Sequence, residues 1–354
     1  MSRRPGASLT LRSEGQGRPG AISVGKDAVI QVDPEQSIVL RGGQTTVDGT
    51  LRARAGRIDI LNPSSDAQLQ AATPARSIWI GENALLDVSG VAHTGTDLRG
   101  RRYGEVLNGG QVTLGSNLPE EKVEGLYPVN NQFIIVRDGA VIDVSGAQAD
   151  LDLGLEGPTT VSGDAGGLAM RSNAGIYFDG ELRAESGGDG AAGGSLDVML
   201  ETIALPVNIG DERQTELRTI VVGEGIESGL PSDLTAGKDD SALRFGQARF
   251  DSEDIEAWGV DSLSLWAQDA ILFEGDTGLD LGGKIELSAA VIGAAPETRD
   301  IQVALAAPYV RLAGRTELPT VPGSSNQQGT GPFFEFENGH ISPNSTHESS
   351  RFSV

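Results

Sequence analysis

The sequence predicts an all-β chain folded as a parallel β-helix, a solenoid with loop insertions, and three observations carry this prediction. A heptad occurs twice, at 84–90 (ALLDVSG) and again at 140–146 (AVIDVSG). Each copy follows a short apolar run, at 77–81 and at 133–136. Pairs of Gly precede alternating stretches at 109, 166, 193 and 282. A unit that returns along the chain is typical of a solenoid, in which each residue packs on its counterpart one coil away.

The heptad alternates with the period of a β-strand, so its two faces differ in chemistry. In the first copy Ala84, Leu86 and Val88 share one face, and Asp87 and Ser89 lie on the other. The second copy has the same pattern, with Ala140, Ile142 and Val144 on one face and Asp143 and Ser145 on the other. We expect the apolar face to line the core and the Asp and Ser side chains to bond backbone N–H groups of the following turn. The Gly that ends each copy is expected to mark a corner with positive φ.

Short strands recur along the chain because Gly, Pro, Asn and Asp interrupt it every few residues. The predicted strands are 21–24, 29–32, 37–40, 46–54, 57–61, 77–80, 84–88, 111–114, 133–136, 140–144, 168–171, 175–185, 195–202, 219–222, 248–251, 262–267, 270–274, 284–288, 301–304 and 309–312. An antiparallel sandwich has strands at similar spacing, but the repeated heptad favours the solenoid.

The predicted shaft runs from 21 to 315, after an irregular N-terminal segment at 1–20 and before a polar linker, last coil and frayed tail at 316–354. Corner insertions are predicted at about 91–106, 115–131, 150–164 and 223–240, where Gly, Pro and charged residues accumulate. At about 20–25 residues a coil, the chain would hold roughly 12 to 15 coils. The two heptads start 56 residues apart, which predicts more than one coil plus insertions between them.

Composition excludes several classes of function. The chain has 354 residues and a net charge of −23, so its long-range field repels nucleic acid. It has no Cys, which excludes disulfides and cysteine-based metal sites. No stretch approaches the roughly 18 apolar residues of a membrane-spanning helix, and no apolar signal segment follows Met1.

Paired carboxylates are the first candidates for chemistry, since some β-helices are polysaccharide lyases and hydrolases. The pairs Asp239-Asp240 and Glu120-Glu121 are adjacent in the chain, so their side chains diverge and are expected to be solvated. The Asp and Ser of the heptads occur twice, which favours a structural role over a catalytic one.

Histidine, metal and aromatic candidates are equally weak. His93, His340 and His347 have no partner at ligand spacing. The segment 187–197 (GGDGAAGGSLD) matches a calcium-binding nonapeptide once and imperfectly, which predicts a flexible corner. The three Trp residues are expected to pack in the core or at corners and not to stack on sugars: Trp79, Trp258 and Trp266. The sequence therefore predicts no catalytic, cofactor-binding or metal-binding residue and no cofactor.

Four further stretches bear on the kind of shaft that the sequence encodes. They are Trp79-Ile80-Gly81 before the first heptad, 258–267 (WGVDSLSLWA), 271–275 (ILFEG) and 307–312 (APYVRL). Together with the heptads they resemble the large exoproteins of the filamentous haemagglutinin type, bacterial adhesins exported by two-partner secretion. The resemblance covers roughly residues 20–315 and identifies a shaft better than it identifies a ligand.

This resemblance implies a right-handed parallel β-helix, secretion to the cell surface, and a non-enzymatic role in adhesion to a host or neighbouring cell. The secretion domain of the family, which engages an outer-membrane transporter, is not visible here, so we expect a portion of a longer exported protein. No nucleic acid partner and no membrane-spanning segment are expected. Two alternatives stay open: a β-helix polysaccharide lyase or hydrolase, and the stalk of a contact-dependent toxin carrier.

Overall fold

The computed structural model describes residues 6–13, 20–61, 77–116, 132–154, 157–201, 217–238, 242–296, 298, 300–314 and 351–353. Within them the chain is almost entirely β-strand, and parallel sheets stack a strand of each coil on a strand of the next. The predicted parallel β-helix with insertions is therefore confirmed. Its strands are short because each one spans a single face of a coil before the chain turns a corner.

The first sheet has nine parallel strands. In spatial order they are β1 (Leu9–Ser13), β4 (Ser37–Gly42), β7 (Arg57–Leu61), β12 (Gln111–Gly115), β17 (Gly167–Ser172), β20 (Gly194–Leu200), β23 (Val260–Ala267), β26 (Lys284–Ala289) and β29 (Tyr309–Gly314). One inward column is apolar from strand to strand: Ile38, Ile58, Val112, Leu168, Leu196, Leu263 and Ile285. Burying each such side chain contributes about 1.5–3 kcal/mol relative to exposure, so these columns stabilise the shaft along its length.

The second sheet also has nine parallel strands. They are β2 (Ala21–Val24), β5 (Gln44–Val47), β8 (Ser77–Ile80), β13 (Phe133–Val136), β18 (Ile176–Phe178), β22 (Gln247–Asp251), β21 (Thr219–Gly223), β24 (Ala270–Glu274) and β27 (Val291–Ala294). The order of β22 and β21 is reversed, because the chain passes from β20 to β21 and later returns to fill the position beside β18.

The third face begins with five parallel strands: β3 (Val29–Gln31), β6 (Thr50–Arg52), β9 (Leu85–Asp87), β14 (Val141–Asp143) and β19 (Glu181–Arg183). It continues with a three-stranded parallel sheet: β25 (Thr277–Asp280), β28 (Gln302–Ala306) and β30 (Arg351–Ser353). A short helix, α1 (Ser252–Ala257), follows β22 and packs against β25. It begins at Asp251, whose carboxylate accepts a hydrogen bond of 2.9 Å from the Glu253 N–H group.

The two heptads lie on adjacent parallel strands in register, as the solenoid requires. In β9 and β14, Leu86 pairs with Ile142 and Asp87 pairs with Asp143. The predicted inward residues are buried in both copies: Ala84, Leu86, Val88, Ala140, Ile142 and Val144. Like side chains therefore pack on like side chains, which keeps the core even along the shaft.

Two expectations about coil size are wrong. The 56 residues between the heptads make one coil and not more, because β9 and β14 are direct neighbours. A hairpin formed by β10 (Val91–Thr96) and β11 (Arg102–Leu107) lengthens that coil. Each coil contributes one strand to the first sheet, which has nine strands among the described residues. This is fewer than the 12 to 15 coils expected, because insertions take up much of the chain. At about 4.8 Å a strand, nine strands span about 38 Å.

The Gly residues that end the heptads are needed for close approach and not for positive φ. Neither Gly90 nor Gly146 has a positive φ. A Cβ atom on Gly90 would lie 2.7 Å from the Leu107 carbonyl oxygen, and one on Gly146 would lie 2.2 Å from that of Gly163. Both distances are too short for a side chain, so the heptads end in Gly where an insertion leaves the shaft and its return strand passes close by.

Several predicted boundaries also change. The predicted strand 46–54 divides into β5 and β6, and 175–185 divides into β18 and β19, because a corner turn interrupts each. The N-terminal segment 1–20, expected to be irregular, contains β1, which pairs with β4. Within the tail expected to fray, Arg351–Ser353 pairs with β28 because the edge of that strand is open to it.

Two of the predicted insertions, 91–106 and 150–164, contain antiparallel hairpins: β10–β11, and β15 (Gln148–Leu151) with β16 (Thr159–Ser162). A third insertion follows β21 at Gly223. The remaining predicted insertion is 115–131, and its residues 117–131 lie outside the described residues. Among the described residues, no helix is long and apolar enough to span a membrane.

Candidate functional site

The heptad Asp side chains bond backbone N–H groups of the following turn, as predicted, whereas the Ser hydroxyls bond the Asp carboxylates and not the backbone. The Asp87 carboxylate accepts bonds from the Ser89 N–H group at 3.1 Å and from its hydroxyl at 2.7 Å. Asp143 makes the same contacts with Ser145, at 3.0 and 2.6 Å. These bonds fix the turn after each strand.

A charged ladder follows the outer surface of the third face. Arg52, Asp87, Asp143 and Arg183 occupy one register position on four successive strands. Arg52 Nε donates to Asp87 at 2.7 Å, and Arg183 Nε donates to Glu181 at 2.6 Å. The hydrogen bond from Arg183 lowers the pKa of Glu181, which is exposed. The ladder is thus internally compensated, which suits a structural surface.

Of the His and paired-carboxylate candidates, the structure describes His93 alone. His93 lies exposed on β10, opposite Glu105 in the hairpin. Four other candidates fall outside the described residues: His340, His347, Asp239-Asp240 and Glu120-Glu121.

The Gly-rich segment 187–197 separates its two carboxylates. Asp189 is exposed on a turn, whereas Asp197 lies on β20 and pairs with Arg171 at 2.9 Å. In the part of the chain that the structure describes, no three His, Asp or Glu side chains are grouped to hold a metal ion.

Trp79 and Trp258 are buried, and each remains only 8% exposed. Trp258 packs edge-on against Phe178 in the main core, with ring centroids 5.1 Å apart. Trp79 points away from Ile78 and Ile80, into a second apolar cluster outside the solenoid. Trp266 is half-buried on β23. The prediction that the Trp side chains pack in the protein is therefore confirmed for Trp79 and Trp258.

The second apolar cluster lies on the outer face of the second sheet, beneath the insertion between β21 and β22. We call residues 224–238 and 242–246 of this insertion the cap. The cluster comprises Trp79, Phe133, Ile135, Ala174 and Tyr177 from the shaft with Leu234 and Leu243 from the cap. Phe133 and Phe245 meet edge-to-face at 5.0 Å. Strands β8 and β13 are therefore buried on both faces, which explains their continuous apolar runs.

Polar contacts anchor the cap at two places, one near its middle and one near its C-terminal end. Arg137 donates to the carbonyl oxygens of Pro231 and Ser232, each at 3.0 Å, and lies 5.6 Å from the Trp79 ring centroid. The Tyr177 hydroxyl accepts a bond of 2.6 Å from the Arg244 N–H group. The cap thus forms part of the packed body of the shaft.

The two hairpins form a separate unit, which we call the lobe: residues 91–107 and 148–162. They leave the shaft from equivalent corners on adjacent coils, after β9 and β14, and β15 packs against both strands of the other hairpin. Near their ends, the Asp152 N–H group donates to the Arg102 carbonyl at 2.8 Å, and the Arg102 N–H group donates to the Asp152 carboxylate at 2.5 Å.

The turn of the first hairpin is fixed by Asp97. Its carboxylate accepts bonds from the N–H groups of Arg99 and Arg101 at 2.8 and 2.9 Å, and from Arg101 Nε at 2.9 Å. These contacts, led by the bond from the Arg101 N–H group, lower the pKa of Asp97. Gly100 has a φ of +79°, which the tight turn requires. The tip is therefore preorganised although it projects into solvent.

The lobe exposes large apolar side chains that nothing in the described structure covers. Leu98 at the tip is completely exposed, Tyr103 is 51% exposed, and Leu153 on the second hairpin is 63% exposed. Arg99, Arg101 and Arg102 lie beside them and are all exposed. Tyr and Arg are enriched among the residues that dominate protein interfaces. The lobe is the part of the described chain best suited to contact a partner.

The sequence reasoning missed these residues. The sequence predicted insertion loops at 91–106 and 150–164 and no exposed apolar cluster within them. The available signal was the pattern Asp97-Leu98-Arg99-Gly100, a turn with Asp first and Gly fourth, which has an apolar residue inside it.

Comparisons with known proteins give no relative from which to transfer a function: no family model, no curated protein and no solved structure matches this chain.

Proposed function

We propose that this chain is a shaft segment of a large secreted bacterial surface adhesin, and that its lobe makes the contact with another surface. The protein acts without catalysis: the coils provide length and stiffness, and the lobe provides the binding surface. The parent protein is exported through an outer-membrane transporter that engages a region not in this chain.

The single observation that carries this proposal is the exposed, preorganised lobe on a parallel shaft. Leu98, Tyr103 and Leu153 remain exposed, whereas the cap buries its own leucines. Covering exposed apolar side chains with a partner surface is favourable, by about 25 cal/mol for each Å² of apolar surface buried. Sequence resemblance to exported haemagglutinin-type proteins supports the cellular setting.

The stiffness of the shaft supports the same role. Side chains of like kind stack from coil to coil, and the ladders of backbone hydrogen bonds continue through nine strands of the first sheet. In the sheets each strand pairs with its direct neighbours, and the cap also packs across several coils. Such a body extends by adding coils and holds a projecting lobe at a fixed orientation.

The test is an attachment assay with the purified chain. Beads coated with the chain are incubated with bacterial and with epithelial cells, and bound beads are counted. The variant Leu98→Ser, Tyr103→Ser, Leu153→Ser is expected to reduce attachment at least tenfold. A matched control, Val29→Ser with Leu217→Ser, removes apolar residues that are 61% and 53% exposed outside the lobe, and should attach as the parent chain does.

Equal attachment of the lobe variant and the control would overturn the assignment of the contact to the lobe. Failure of the parent chain to attach to any cell would overturn the adhesin proposal. Cleavage of a polysaccharide by the purified chain would replace it with the enzymatic alternative.

A further inference from the structure

Asn108 and Asp164 lie where the two hairpins of the lobe rejoin the shaft. Asn108 follows β11 and Asp164 follows β16, so the two residues stand at the roots of adjacent hairpins. The Asp164 N–H group donates to Asn108 Oδ1 at 3.0 Å, and Asn108 Nδ2 donates to the Asp164 carboxylate at 3.1 Å. The Gly109 N–H group donates to the Asp164 carbonyl oxygen at 2.8 Å. We call these three hydrogen bonds the root clamp.

The root clamp depends on an amide at position 108. The side chain of Asn108 accepts one bond from Asp164 and donates another to it, which a carboxylate cannot do. The second carboxylate oxygen of Asp164 accepts a bond of 2.8 Å from the Ala192 N–H group, just before β20. The clamp therefore ties both hairpin roots to each other and to the next coil of the shaft.

Close packing requires Gly directly after Asn108. A Cβ atom on Gly109 would clash with the Val144 carbonyl oxygen of the adjacent coil. The chain has Asn-Gly pairs at 108–109 and 338–339, and the structure describes the first of them. Asn is among the chemically labile residues, and it is most labile before Gly, which has no side chain to hinder attack by its own main-chain nitrogen.

The reaction open to this pair is deamidation. The main-chain nitrogen of Gly109 attacks Cγ of Asn108, so that an N–Cγ bond forms and the Cγ–Nδ2 bond breaks. The proton of the Gly109 N–H group leaves with Nδ2 as ammonia. Water then opens the succinimide ring at either of its carbonyl groups and leaves aspartate or isoaspartate. Water is the only co-reactant, and the reaction needs no oxidant or reductant.

The root clamp engages every group that this reaction uses. The Gly109 nitrogen shares its proton with the Asp164 carbonyl oxygen, while Oδ1 and Nδ2 of Asn108 are held by the N–H group and carboxylate of Asp164. Attack on Cγ therefore requires the clamp to open. Asn108 and Asp164 are both exposed, so water competes for these bonds, and local opening does not require the shaft to unfold.

We infer that Asn108 is a deamidation site guarded by Asp164, and that its conversion irreversibly releases the root of the lobe. After the reaction, a carboxylate at position 108 faces the carboxylate of Asp164. It has no N–H group to donate, and the two like charges repel each other, so the clamp cannot close again. This inference goes beyond the proposed function and holds whether or not the lobe binds a partner.

Asn83 is a matched control within the same chain. It is exposed, and its Nδ2 donates to the Asp48 carboxylate at 3.2 Å, as Asn108 Nδ2 does to that of Asp164. The next residue is Ala84, whose methyl group hinders attack by the main-chain nitrogen. If a carboxylate contact alone decided reactivity, the two sites would behave alike. The inference instead predicts that of these two sites only Asn108 reacts.

The test follows deamidation of the purified chain in mildly alkaline buffer by peptide mapping and mass spectrometry. Asn108 in the folded parent is expected to react at least tenfold more slowly than in the parent unfolded in guanidinium. Asp164→Ala removes the carboxylate of the clamp and should speed the reaction at Asn108 at least threefold. The matched variant Asp48→Ala removes the equivalent contact of Asn83 and should leave both sites as they are in the parent.

The release is tested with Asn108→Asp, which carries the product side chain. Its Gly109 and Asp164 N–H groups should exchange hydrogen at least tenfold faster than those of the parent, after correction for intrinsic rates. Unchanged exchange would overturn the release.

Absence of reaction at Asn108 in the unfolded chain would overturn the site itself. Equal rates in the parent and Asp164→Ala would overturn the guarding role of Asp164. Should Asp164→Ala not fold, the folded and unfolded parent decide, since equal rates there refute protection by the clamp. These measurements involve no cell surface, so failure of bead attachment refutes the proposed function and leaves this inference standing.

Discussion

The cap and the lobe are both insertions from the same shaft, but they place their apolar side chains in opposite environments. Leu234 and Leu243 of the cap are 5% and 6% exposed, whereas Leu153 of the lobe is 63% exposed. The cap lies across strands whose outer face is apolar, and the lobe leaves a corner where the backbones of neighbouring segments pack against Gly. An insertion on this shaft therefore buries or exposes its apolar side chains according to the surface beneath it.

This difference matters for the proposed function because the lobe groups exposed apolar side chains on one projecting unit, whereas the cap buries Leu234 and Leu243. The cap covers the outer face of the second sheet at β8, β13 and β18. On the outer surface of the third face, the charged ladder runs along β6, β9, β14 and β19. Exposed apolar side chains grouped at a projecting tip are typical of interaction sites.

The largest expected effect is where the second sheet packs against the cap. Phe133→Ala removes a fully buried ring that contacts Tyr177 and Phe245. We expect a loss of about 3–5 kcal/mol in the free energy of unfolding, because a large cavity remains between the cap and the sheet. Guanidinium-induced unfolding followed by circular dichroism measures it.

The matched change in the lobe is Leu98→Ala. Since Leu98 is completely exposed, its truncation should alter the free energy of unfolding by less than about 0.5 kcal/mol. If the two variants are destabilised to a similar extent, the distinction between a structural cap and an interactive lobe is wrong.

Sequence predicted the repeating part of the molecule well. The heptads predicted which residues line the core, because Asp and Ser alternate with the apolar residues at 86, 88, 142 and 144. Strand periodicity of this kind requires no knowledge of distant segments. The Gly at the end of each copy marked a corner, although close approach and not φ was the reason.

Sequence did not predict contacts between distant segments. The apolar runs at 78–80 and 133–136 indicate strands that are buried on both faces. They do not reveal that the outer face of each strand is covered by cap residues more than ninety positions further along the chain. Helix α1 was missed because the polar residues of its first turn (Ser252, Glu253, Asp254) suggest a loop until the Asp251 cap is seen. The lobe was missed for the same reason, since its tip is mostly charged.

A smaller effect is expected where the cap is held by polar contacts. Tyr177→Phe removes the acceptor for the Arg244 N–H group and should cost about 0.5–1.5 kcal/mol. Burial raises the pKa of Tyr177. The neutral phenol therefore contributes stability that is fully present below its unfolded pKa of about 10 and is lost as pH rises through the higher folded value. Alkaline unfolding curves of the parent and variant should converge above that range, and parallel curves would refute the role of this hydroxyl.

The smallest effect is expected at the lobe tip, and it should be local. The folded pKa of Asp97 is lowered by the N–H group of Arg101, so its contribution is present above the unfolded pKa of about 3.9 and is lost as pH falls through the folded value. Asp97→Ala at pH 7 should speed the hydrogen exchange of the Arg99 and Arg101 N–H groups while the unfolding transition of the shaft stays unchanged. Acidifying the parent chain should lower the protection of the same two groups relative to the intrinsic exchange rate at each pH. The cap amide of Arg244 serves as the internal control, because its partner is a phenol that does not titrate at acid pH. If the shaft unfolds together with the tip, then the lobe is not an independent unit, and its apolar residues contribute to the fold as those of the cap do.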